Sequence, residues 1–316
     1  MVTLQTPKFA YYNGAVGPWE GAQLHVASEG VLRGLNVFEG LKAYWQPDGR
    51  MGVVALHAHF KRLQRSARLL QIPFEHSYEQ FEKAVHDIIE ALCVPDKHIW
   101  VRATVYMVEG HWGEDQVSDL VLTAYLMPLT GPSPINIGVS TWQRANDSML
   151  PARIKTSTNY QVTRLARIEG RGRGYEEMIL LNQYGRVAEA GASCVLMARD
   201  GRLCTPSASE GALESITLDI LERMARDVGI PFDRRPIDRT ELLLADELAL
   251  VGTVTEVTPV LHIDGIAPYR ETCLIDAVAR RYRDAVTGMI PHDAVDLSMR
   301  RYTGIRPRSS MPATRA

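Results

Sequence analysis

A proline-rich segment near the middle of the chain limits the folds that are open to it. The residues run Pro128-Leu129-Thr130-Gly131-Pro132-Ser133-Pro134. Three prolines and a glycine in seven residues do not fit inside a helix or a central strand, because proline lacks the backbone N–H and fixes its own φ. The segment therefore predicts a linker between a domain at 1–127 and a larger one at 135–305. The Pro/Ser/Arg-rich residues 306–316 are predicted to form a disordered tail.

The hydrophobic pattern predicts helices and strands on both sides of this linker. Apolar residues recur at helical spacing from Leu56 to Leu70, and Ser77-x-x-Gln80 is a capping box that opens a second helix. Strand patterns at 99–108 and 119–127 follow, and after the linker several short strands alternate with turns and amphipathic helices. Helices and strands do not alternate strictly, which argues against a doubly wound parallel sheet. An α+β fold in two domains is expected.

Charge and hydropathy exclude several classes of protein. The 35 basic and 37 acidic residues nearly cancel, so no global field would attract nucleic acid or an anionic membrane. The chain contains no apolar run of about 18 residues, and Met1–Ala10 lack the apolar core of a signal peptide. A cytoplasmic protein that acts on small molecules is the resulting expectation.

Cysteine and histidine give little support for a metal site or a disulfide framework. The four cysteines are far apart and form no C-x-x-C pair. His57 and His59 form an H-x-H pair, but no cluster of carboxylates or cysteines lies near them in the sequence. No metal is therefore predicted, and the thiols are expected to be reduced.

One lysine lies in a short hydroxyl-rich segment near the middle of the chain, a setting in which a lysine is usually a solvated surface residue. The stretch Ala152–Tyr160 places Lys155 among hydroxyl side chains, in an extended conformation before a helix. Taken alone, the pattern also fits an ordinary surface lysine. Our hypothesis is that Lys155 forms a Schiff base with pyridoxal 5'-phosphate. That cofactor also needs an acid at its ring nitrogen, donors for its phosphate and a donor for its phenolic oxygen.

Six blocks, in order over about residues 34–265, resemble the branched-chain amino acid aminotransferases. The blocks are Phe38-Glu39-Gly40-Leu41-Lys42-Ala43-Tyr44, His59–Leu63, Arg153–Tyr160, Val187–Ser193, Leu213–Thr217 and Gly252–Pro259. The resemblance implies fold type IV of the pyridoxal phosphate enzymes. In that fold a small α+β domain and a larger pseudo-barrel domain hold the cofactor between them.

The resemblance also implies a role for each residue of the cofactor site. Lys155 would carry the Schiff base and move the proton, Glu189 would pair with the ring nitrogen, and Tyr160 would donate to the phenolic oxygen. The phosphate would be held by a second group of residues: Arg62, Ile216, Thr217 and Thr253. The ordinary alternatives are a solvated strand-end acid, a core tyrosine, a solvated helix arginine and helix-capping or turn threonines.

Substrate contacts are implied in the same way. Arg102 would meet the side-chain carboxylate of glutamate, and the loop Thr253-Val254-Thr255 would offer N–H groups to the substrate α-carboxylate. Phe38 and Trp100 would line the side-chain pocket. The alternatives are a strand ion pair for Arg102 and core packing for the two aromatic residues.

Several residues depart from the family pattern, and most departures fall on the substrate side. Arg33 and Trp100 replace tyrosines, and Arg33 is expected to add polarity to the pocket or to close part of it. The other departures are Thr158, Ser193, Thr255 and the pair Glu214-Ser215, which replace Gly, Asn, Ala and Pro-Gly. The pattern leaves the cofactor set intact and the identity of the amino acid open.

The predicted function is amino-group transfer between a branched-chain or related hydrophobic L-amino acid and 2-oxoglutarate, by a homodimer or a larger homo-oligomer. A class IV lyase such as aminodeoxychorismate lyase is an alternative, as is a D-amino-acid or amine transaminase. The Phe38–Tyr44 block and Arg102 favour transfer, because a lyase needs no dicarboxylate as a second substrate. A cofactor-free binding protein is a further alternative, and Lys155 and Glu189 argue against it.

Overall fold

The computed structural model of the protein describes residues 6–269 and 272–302. The predicted disordered tail at 306–316 lies outside these residues. The strands of the N-terminal half are β1 (Phe9–Tyr12), β2 (Ala15–Pro18), β3 (Asn36–Trp45), β4 (Met51–Val54), β5 (His98–His111) and β6 (Glu114–Met127). The helices of this half are α1 (Glu29–Leu32), α2 (Leu56–Leu69) and α3 (Tyr78–Leu92).

The C-terminal half contributes nine further strands and three further helices among the described residues. The strands are β7 (Ile135–Gln143), β8 (Glu177–Leu181), β9 (Val187–Ala190), β10 (Cys194–Arg199), β11 (Arg202–Thr205), β12 (Phe232–Arg234), β13 (Glu247–Gly252), β14 (Glu256–Ile263) and β15 (Leu297–Arg300). The helices are α4 (Tyr160–Gly172), α5 (Ile216–Asp227) and α6 (Leu274–Val286).

The first sheet is antiparallel throughout and has seven strands in the order β15-β4-β3-β5-β6-β1-β2. Asn13 and Gly14 join β1 to β2 with φ angles of 50° and 79°. Positive φ at both central positions matches the right-handed twist of the two strands, which explains the Asn-Gly pair. Strands β3 and β5 pair over eight residues and form the middle of the sheet.

Helices α2 and α3 pack against this sheet in one hydrophobic core. Leu56 and Leu63 of α2 and Phe81 of α3 are fully buried there. The predicted capping box is present, since Ser77 accepts from the backbone N–H of Gln80 and the Gln80 side chain accepts from the Ser77 N–H. The box satisfies two of the N–H groups that a helix leaves unpaired at its start.

The second sheet is mixed and curls towards closure. Its eight strands lie in the order β12-β11-β10-β13-β14-β7-β8-β9. An antiparallel bridge joins Arg186, directly before β9, to Asp238, four residues after β12, and Val187 N donates to Ile237 O at 2.9 Å. The sheet is therefore a pseudo-barrel, and the predicted two-domain α+β fold is confirmed.

The two faces of the second sheet bury different clusters. In β10, Leu196 and Ala198 pack towards α5 and α6, whereas Val195 and Met197 pack into the interior of the pseudo-barrel. This alternation follows from the period of two along a strand. Helix α5 begins at Ile216 because Ser215 caps it by accepting from Leu218 N at 3.2 Å.

The last strand differs from the expected domain limits. Residues 135–305 were expected to form one domain, yet β15 pairs antiparallel with β4 of the first sheet. Buried His86 of α3 also contacts this C-terminal region, with its ring nitrogens 2.6 Å from the Tyr302 hydroxyl and 2.9 Å from Ser298 Oγ. The chain thus returns to the first domain after it has completed the second.

Candidate active site

A cavity of about 650 Å³ lies between the two sheets. Both domains and the linker contribute to its lining. The predicted site residues that line it are Phe38, Arg62, Trp100, Arg102, Lys155, Tyr160, Glu189, Ile216, Thr253, Val254 and Thr255. The fold therefore brings together residues that are far apart in the chain, in a space large enough for a small-molecule ligand.

Lys155 lies in the coil between β7 and α4, and the first domain holds its backbone. Phe38 N donates to Lys155 O at 2.9 Å, and Lys155 N donates to Ser66 Oγ at 3.1 Å. The side-chain amine projects into the cavity, where Nζ donates to the Tyr160 hydroxyl at 2.9 Å. Among the described residues no carboxylate lies within ion-pair distance of Lys155. The amine is thus positioned on rigid backbone next to a phenol.

The side chains from Lys155 to Thr158 face two cavities in turn. Lys155 and Ser157 line the main cavity, whereas Thr156 and Thr158 line a second cavity of about 380 Å³ behind it. Asn159 fixes the segment, because its Nδ2 donates to Ile154 O at 2.9 Å and to Pro151 O at 3.1 Å. The segment therefore separates the two cavities and points the lysine into the larger one.

Glu189 reaches the cavity from β9, and a backbone N–H and an arginine hold its carboxylate. Leu213 N donates to Oε2 at 2.9 Å, and Arg144 Nε lies 2.9 Å from Oε1. The Glu189 side chain is 13% exposed, so some of its surface faces the cavity. A carboxylate held by one hydrogen bond and one ion pair is pre-oriented towards a further partner in the cavity.

Arg62 forms the opposite end of the site together with buried Glu39. Arg62 Nε and Nη2 donate to the two carboxylate oxygens of Glu39 at 2.6 and 2.8 Å, and Nη1 donates to Glu214 O at 2.7 Å. Burial alone would raise the pKa of Glu39, but Arg62 and then His59 outweigh it, so this pKa lies well below its ordinary value. A guanidinium has five N–H groups, so Arg62 keeps two for an anion in the cavity.

The substrate side of the cavity combines an arginine with aromatic rings. The guanidinium of Arg102 lies 3.9 Å from the centre of the Phe38 ring, and Nη2 donates to Ser157 Oγ at 3.3 Å. Burial lowers the pKa of Arg102, and no carboxylate among the described residues pairs with it. Trp100 stacks on Tyr125 at 5.2 Å between ring centres. This part of the lining therefore combines aromatic rings with a guanidinium that pairs with no carboxylate among the described residues.

The turn Thr253–Thr255 connects β13 to β14 and ends at a strained residue. Glu256 has a φ of 53°, in the left-handed region. Its Oε1 accepts from Lys42 Nζ at 2.5 Å and from the Tyr44 hydroxyl at 2.9 Å. Two side chains of β3 in the first domain thus fix the start of β14 in the second.

Two predicted residues lie outside the lining of the main cavity. Arg33 lies beside the second cavity, where it pairs with Glu29 and its guanidinium lies 4.5 Å from the centre of the Trp112 ring. The expectation that Arg33 closes or polarises the substrate pocket is therefore not met within one chain. Thr217 is buried at the second position of α5, and only its neighbour Ile216 lines the cavity.

The two histidines of the H-x-H pair have structural partners, and one cysteine lies at the cavity. His59 Nδ1 lies 2.7 Å from Glu39, and the rings of His57 and Tyr78 lie 5.0 Å apart. Cys194 lines the cavity, and burial raises its pKa to about 12, so the thiol stays protonated near neutral pH.

Within residues 6–269 and 272–302 no helix is long and apolar enough to cross a membrane.

Comparison with known proteins identifies the family. The family model for class IV amino-transferases matches residues 36–263. The chain belongs to the class IV aminotransferase family. A relative from Synechocystis described as a probable branched-chain-amino-acid aminotransferase is 32% identical to this class IV aminotransferase over 261 residues, 81% of this chain and 85% of the relative.

Solved structures agree with this assignment. The branched-chain amino acid aminotransferase from Thermobaculum terrenum, in its PLP form, has a TM-score of 0.82 at 31% identity and covers 92% of this chain and 98% of its own. The branched-chain aminotransferase from the archaeon Thermoproteus uzoniensis, with norvaline, has a TM-score of 0.84 at 30% identity. It covers 90% of this chain and 97% of its own. The predicted resemblance and enzyme class are confirmed.

The side chains of this class IV aminotransferase fit pyridoxal 5'-phosphate chemically. An amine, a phenol and a carboxylate face one cavity, as the carbonyl, the phenolic oxygen and the ring nitrogen of the cofactor require. Helix α5 is 12 residues long, and its first N–H groups have no partner within the helix. Because a helix N-terminus favours an anion, Ile216 and Thr217 could hold the phosphate through their backbone.

Sequence reasoning misses two residues of this site. Lys42 is named only as a member of the Phe38–Tyr44 block and is given no role, and Arg144 is not singled out at all. Arg144 follows directly after β7, at a place where a solvated arginine is common. A basic residue after a buried strand is too weak a signal to separate the two cases.

Proposed function

We propose that this protein transfers the amino group between a branched-chain L-amino acid and 2-oxoglutarate, with pyridoxal 5'-phosphate as the cofactor. The observation that carries the proposal is the arrangement of Lys155, Tyr160 and Glu189 around one cavity, with Lys155 Nζ and the Tyr160 hydroxyl 2.9 Å apart. The cofactor and the transfer reaction agree with the class IV family and with the PLP form of the relative from Thermobaculum terrenum.

When bound, the cofactor supplies a conjugated ring that withdraws electrons from the substrate Cα–H bond. Lys155 would be the residue that binds the cofactor covalently and that then moves a proton at the substrate Cα. Its hydrogen bond to Tyr160 holds the amine in the cavity, where the cofactor would bind. Glu189 would hold the ring nitrogen in its protonated form, because an ionised carboxylate favours a positive partner.

The phosphate would be bound by the residues at the opposite end of the cavity. Ile216 and Thr217 offer the N-terminus of α5, and Thr253 lines the cavity from the turn after β13. Arg62 would contribute the two N–H groups that Glu39 and Glu214 O do not occupy. Backbone donors, a hydroxyl and a guanidinium together suit a dianion.

The two substrates would share one pocket. Phe38, Trp100 and Val254 offer apolar surface that a branched side chain can cover. Arg102 would receive the side-chain carboxylate of the dicarboxylate substrate, since its guanidinium is buried without a carboxylate partner among the described residues. The turn Val254-Thr255 would offer N–H groups to the α-carboxylate that both substrates carry.

Arg102 also favours amino-group transfer over the alternative lyase reaction. An amino-group acceptor such as 2-oxoglutarate brings a second carboxylate that must be neutralised in the pocket. A lyase has no dicarboxylate as its second substrate and would leave Arg102 buried without that partner. Burying an unpaired charge is costly, so the arginine favours amino-group transfer to a dicarboxylate.

We also propose that the protein is a homodimer or larger and works in the cytoplasm. Exposed apolar side chains gather on the first domain beside the second cavity, and they include Leu32, Leu69 and Trp112. A second copy would cover them, as contiguous exposed apolar surface often marks an interface. The four cysteines are free, which suits a reducing compartment. Light scattering on the purified protein and cell fractionation test these two points.

The function is tested with a panel of amino donors and 2-oxoglutarate as the acceptor. The expected result is glutamate formation with leucine, isoleucine or valine and little with D-amino acids. Each donor alone should also convert the bound cofactor to its pyridoxamine form, which is followed by absorbance. Reaction with only a D-amino acid or aminodeoxychorismate would contradict the proposed substrates, and a protein that takes up no pyridoxal phosphate would contradict the cofactor.

A further inference from the structure

One buried arginine outside the cavity contacts three of the segments that form it. Arg144 is 5% exposed and is not among the residues that line the cavity. Its Nε lies 2.9 Å from Glu189 Oε1 and 3.2 Å from Gly211 O. Its Nη1 donates to the backbone oxygen and to Oδ1 of Asn159, both at 3.2 Å.

Each residue that Arg144 contacts either has a proposed role itself or lies close in the chain to a residue that has one. Gly211 lies two residues before Leu213, whose N–H donates to the other oxygen of Glu189. Asn159 donates to Ile154 O, next to Lys155, and directly precedes Tyr160. A single guanidinium therefore connects the acid, the lysine segment and the loop that leads to α5.

The local backbone is shaped around this side chain. Gly211 has a φ of 94°, and a Cβ at this position would lie 3.2 Å from Arg144 Cγ. The Arg144 N–H donates to Leu181 O at 2.8 Å, which places the residue beside β8. Glycine is thus required both by the left-handed conformation and by the close approach of the arginine.

We propose that Arg144 is a positioning residue that orients Glu189 towards the cofactor ring nitrogen, and that it couples this acid to the Lys155 segment. The ion pair, with Arg144 Nε 2.9 Å from Oε1, holds the Glu189 side chain in place, so that its free part faces the cavity. Lysine cannot replace this, because an ammonium lacks the planar fork that reaches Glu189 and Asn159 together.

The proposal rests on the proposed cofactor site but not on the proposed amino acid. A protein that binds pyridoxal 5'-phosphate and transfers amino groups from another donor would leave it intact. A protein that takes up no pyridoxal 5'-phosphate would instead remove the proposed function, and this is seen in the parent before any variant is made. The two failures are therefore distinguishable.

The test uses Arg144→Lys, Arg144→Gln and the control Arg235→Gln. Arg235 is a partly exposed arginine that pairs with Glu241, with Nη1 2.9 Å from Oε2, and it lies outside the cavity lining. Cofactor-free protein is titrated with pyridoxal 5'-phosphate, and the visible absorption of the bound cofactor is followed against pH. Thermal unfolding of the cofactor-free protein is measured in parallel.

Arg144→Gln should weaken cofactor binding by about tenfold or more, since the buried ion pair with Glu189 is lost, and should change the visible absorption against pH. Arg144→Lys should fall between parent and Arg144→Gln, and Arg235→Gln should match the parent in both readouts. Parent-like affinity and absorption in Arg144→Gln would overturn the proposal. Equal changes in cofactor affinity in Arg144→Gln and Arg235→Gln would also overturn the proposal. Arg144 would then affect the cofactor only through the stability of the folded protein.

A double-mutant cycle covers the case in which Arg144→Gln fails to fold. If Arg144 acts through the charge of Glu189, the effect of Arg144→Lys on cofactor affinity should largely disappear in a Glu189→Gln background. Additive effects of the two substitutions would contradict the proposal. The cycle also compares two variants that keep the size of the buried side chains.

Discussion

Lys42 of β3 and Glu256 of β14 form a buried ion pair, 2.5 Å long, that joins the first domain to the second. The Tyr44 hydroxyl donates to the same carboxylate oxygen at 2.9 Å. Because Glu256 ends the turn Thr253–Thr255, the pair anchors a segment with a proposed role in binding phosphate and substrate. The geometry of this segment therefore depends on the first domain.

Replacing Lys42 by Met should destabilise the protein by about 3 to 5 kcal/mol, because Glu256 remains buried without its partner. The KM for the amino donor should rise as the turn relaxes, with a smaller change in kcat. Urea unfolding and steady-state kinetics measure both. Lys61→Met on the exposed face of α2 is the control. Full stability in Lys42→Met would show that the ion pair contributes nothing.

Replacing Lys155 by Ala should reduce turnover by at least about 10³-fold, because proton transfer at the substrate loses its base. The cofactor should remain bound without covalent attachment, which mass spectrometry after borohydride reduction detects. Lys61→Ala should leave both properties unchanged. Parent-like turnover in a folded Lys155→Ala variant would remove the central residue assignment.

Replacing Arg102 by Leu should affect the two substrates differently. The KM for 2-oxoglutarate should rise by about tenfold or more, since a charge-assisted contact is lost, whereas the KM for leucine should change little. Initial rates over a grid of both substrates measure the two constants. Arg164→Leu on the exposed face of α4 is the control. An equal rise for both substrates would contradict a role in recognising the dicarboxylate.

Because of Glu39, the free energy of unfolding should depend on pH under acidic conditions. Its pKa in the folded protein is depressed below 4.5, because Arg62 and His59 outweigh the effect of burial. As the pH falls, the unfolded chain binds the proton first. The stabilisation is thus fully present above about pH 4.5 and is lost progressively below it.

Urea unfolding at about pH 7 and about pH 3.5 tests this linkage. Glu39→Gln should lower the free energy of unfolding at pH 7 by about 3 to 5 kcal/mol, because Arg62 is left buried and unpaired, and should flatten the dependence on pH. Exposed Glu114→Gln should behave like the parent. An unchanged slope in Glu39→Gln would assign the acid sensitivity to other carboxylates.

The sequence predicts the parts of the site that depend on local pattern. Lys155, Tyr160 and Glu189 lie in blocks with specific spacing, and the fold places all three at one cavity. Their roles stay predictions, whereas the two-domain α+β fold is confirmed. The capping box at Ser77 was also predictable, since both of its hydrogen bonds are local.

The parts that depend on contacts between distant segments were not predictable. Arg144 matters through Glu189 and Asn159, which are 45 and 15 residues away in the chain. Strand β15 has only four residues, and its pairing with β4 depends on tertiary contacts. Arg33 follows the helix α1, whose Glu29 draws it away from the main cavity. Composition and periodicity carry no information on such pairings.

The return of the chain to the first sheet gives the molecule two covalent crossings between its domains. One is the linker at 128–134, and the other is the segment between α6 and β15. A body attached at two points turns most easily about the line through both, so opening of the cavity should follow one hinge axis. Substitutions at either crossing would then alter the rate of product release and the access of substrate together.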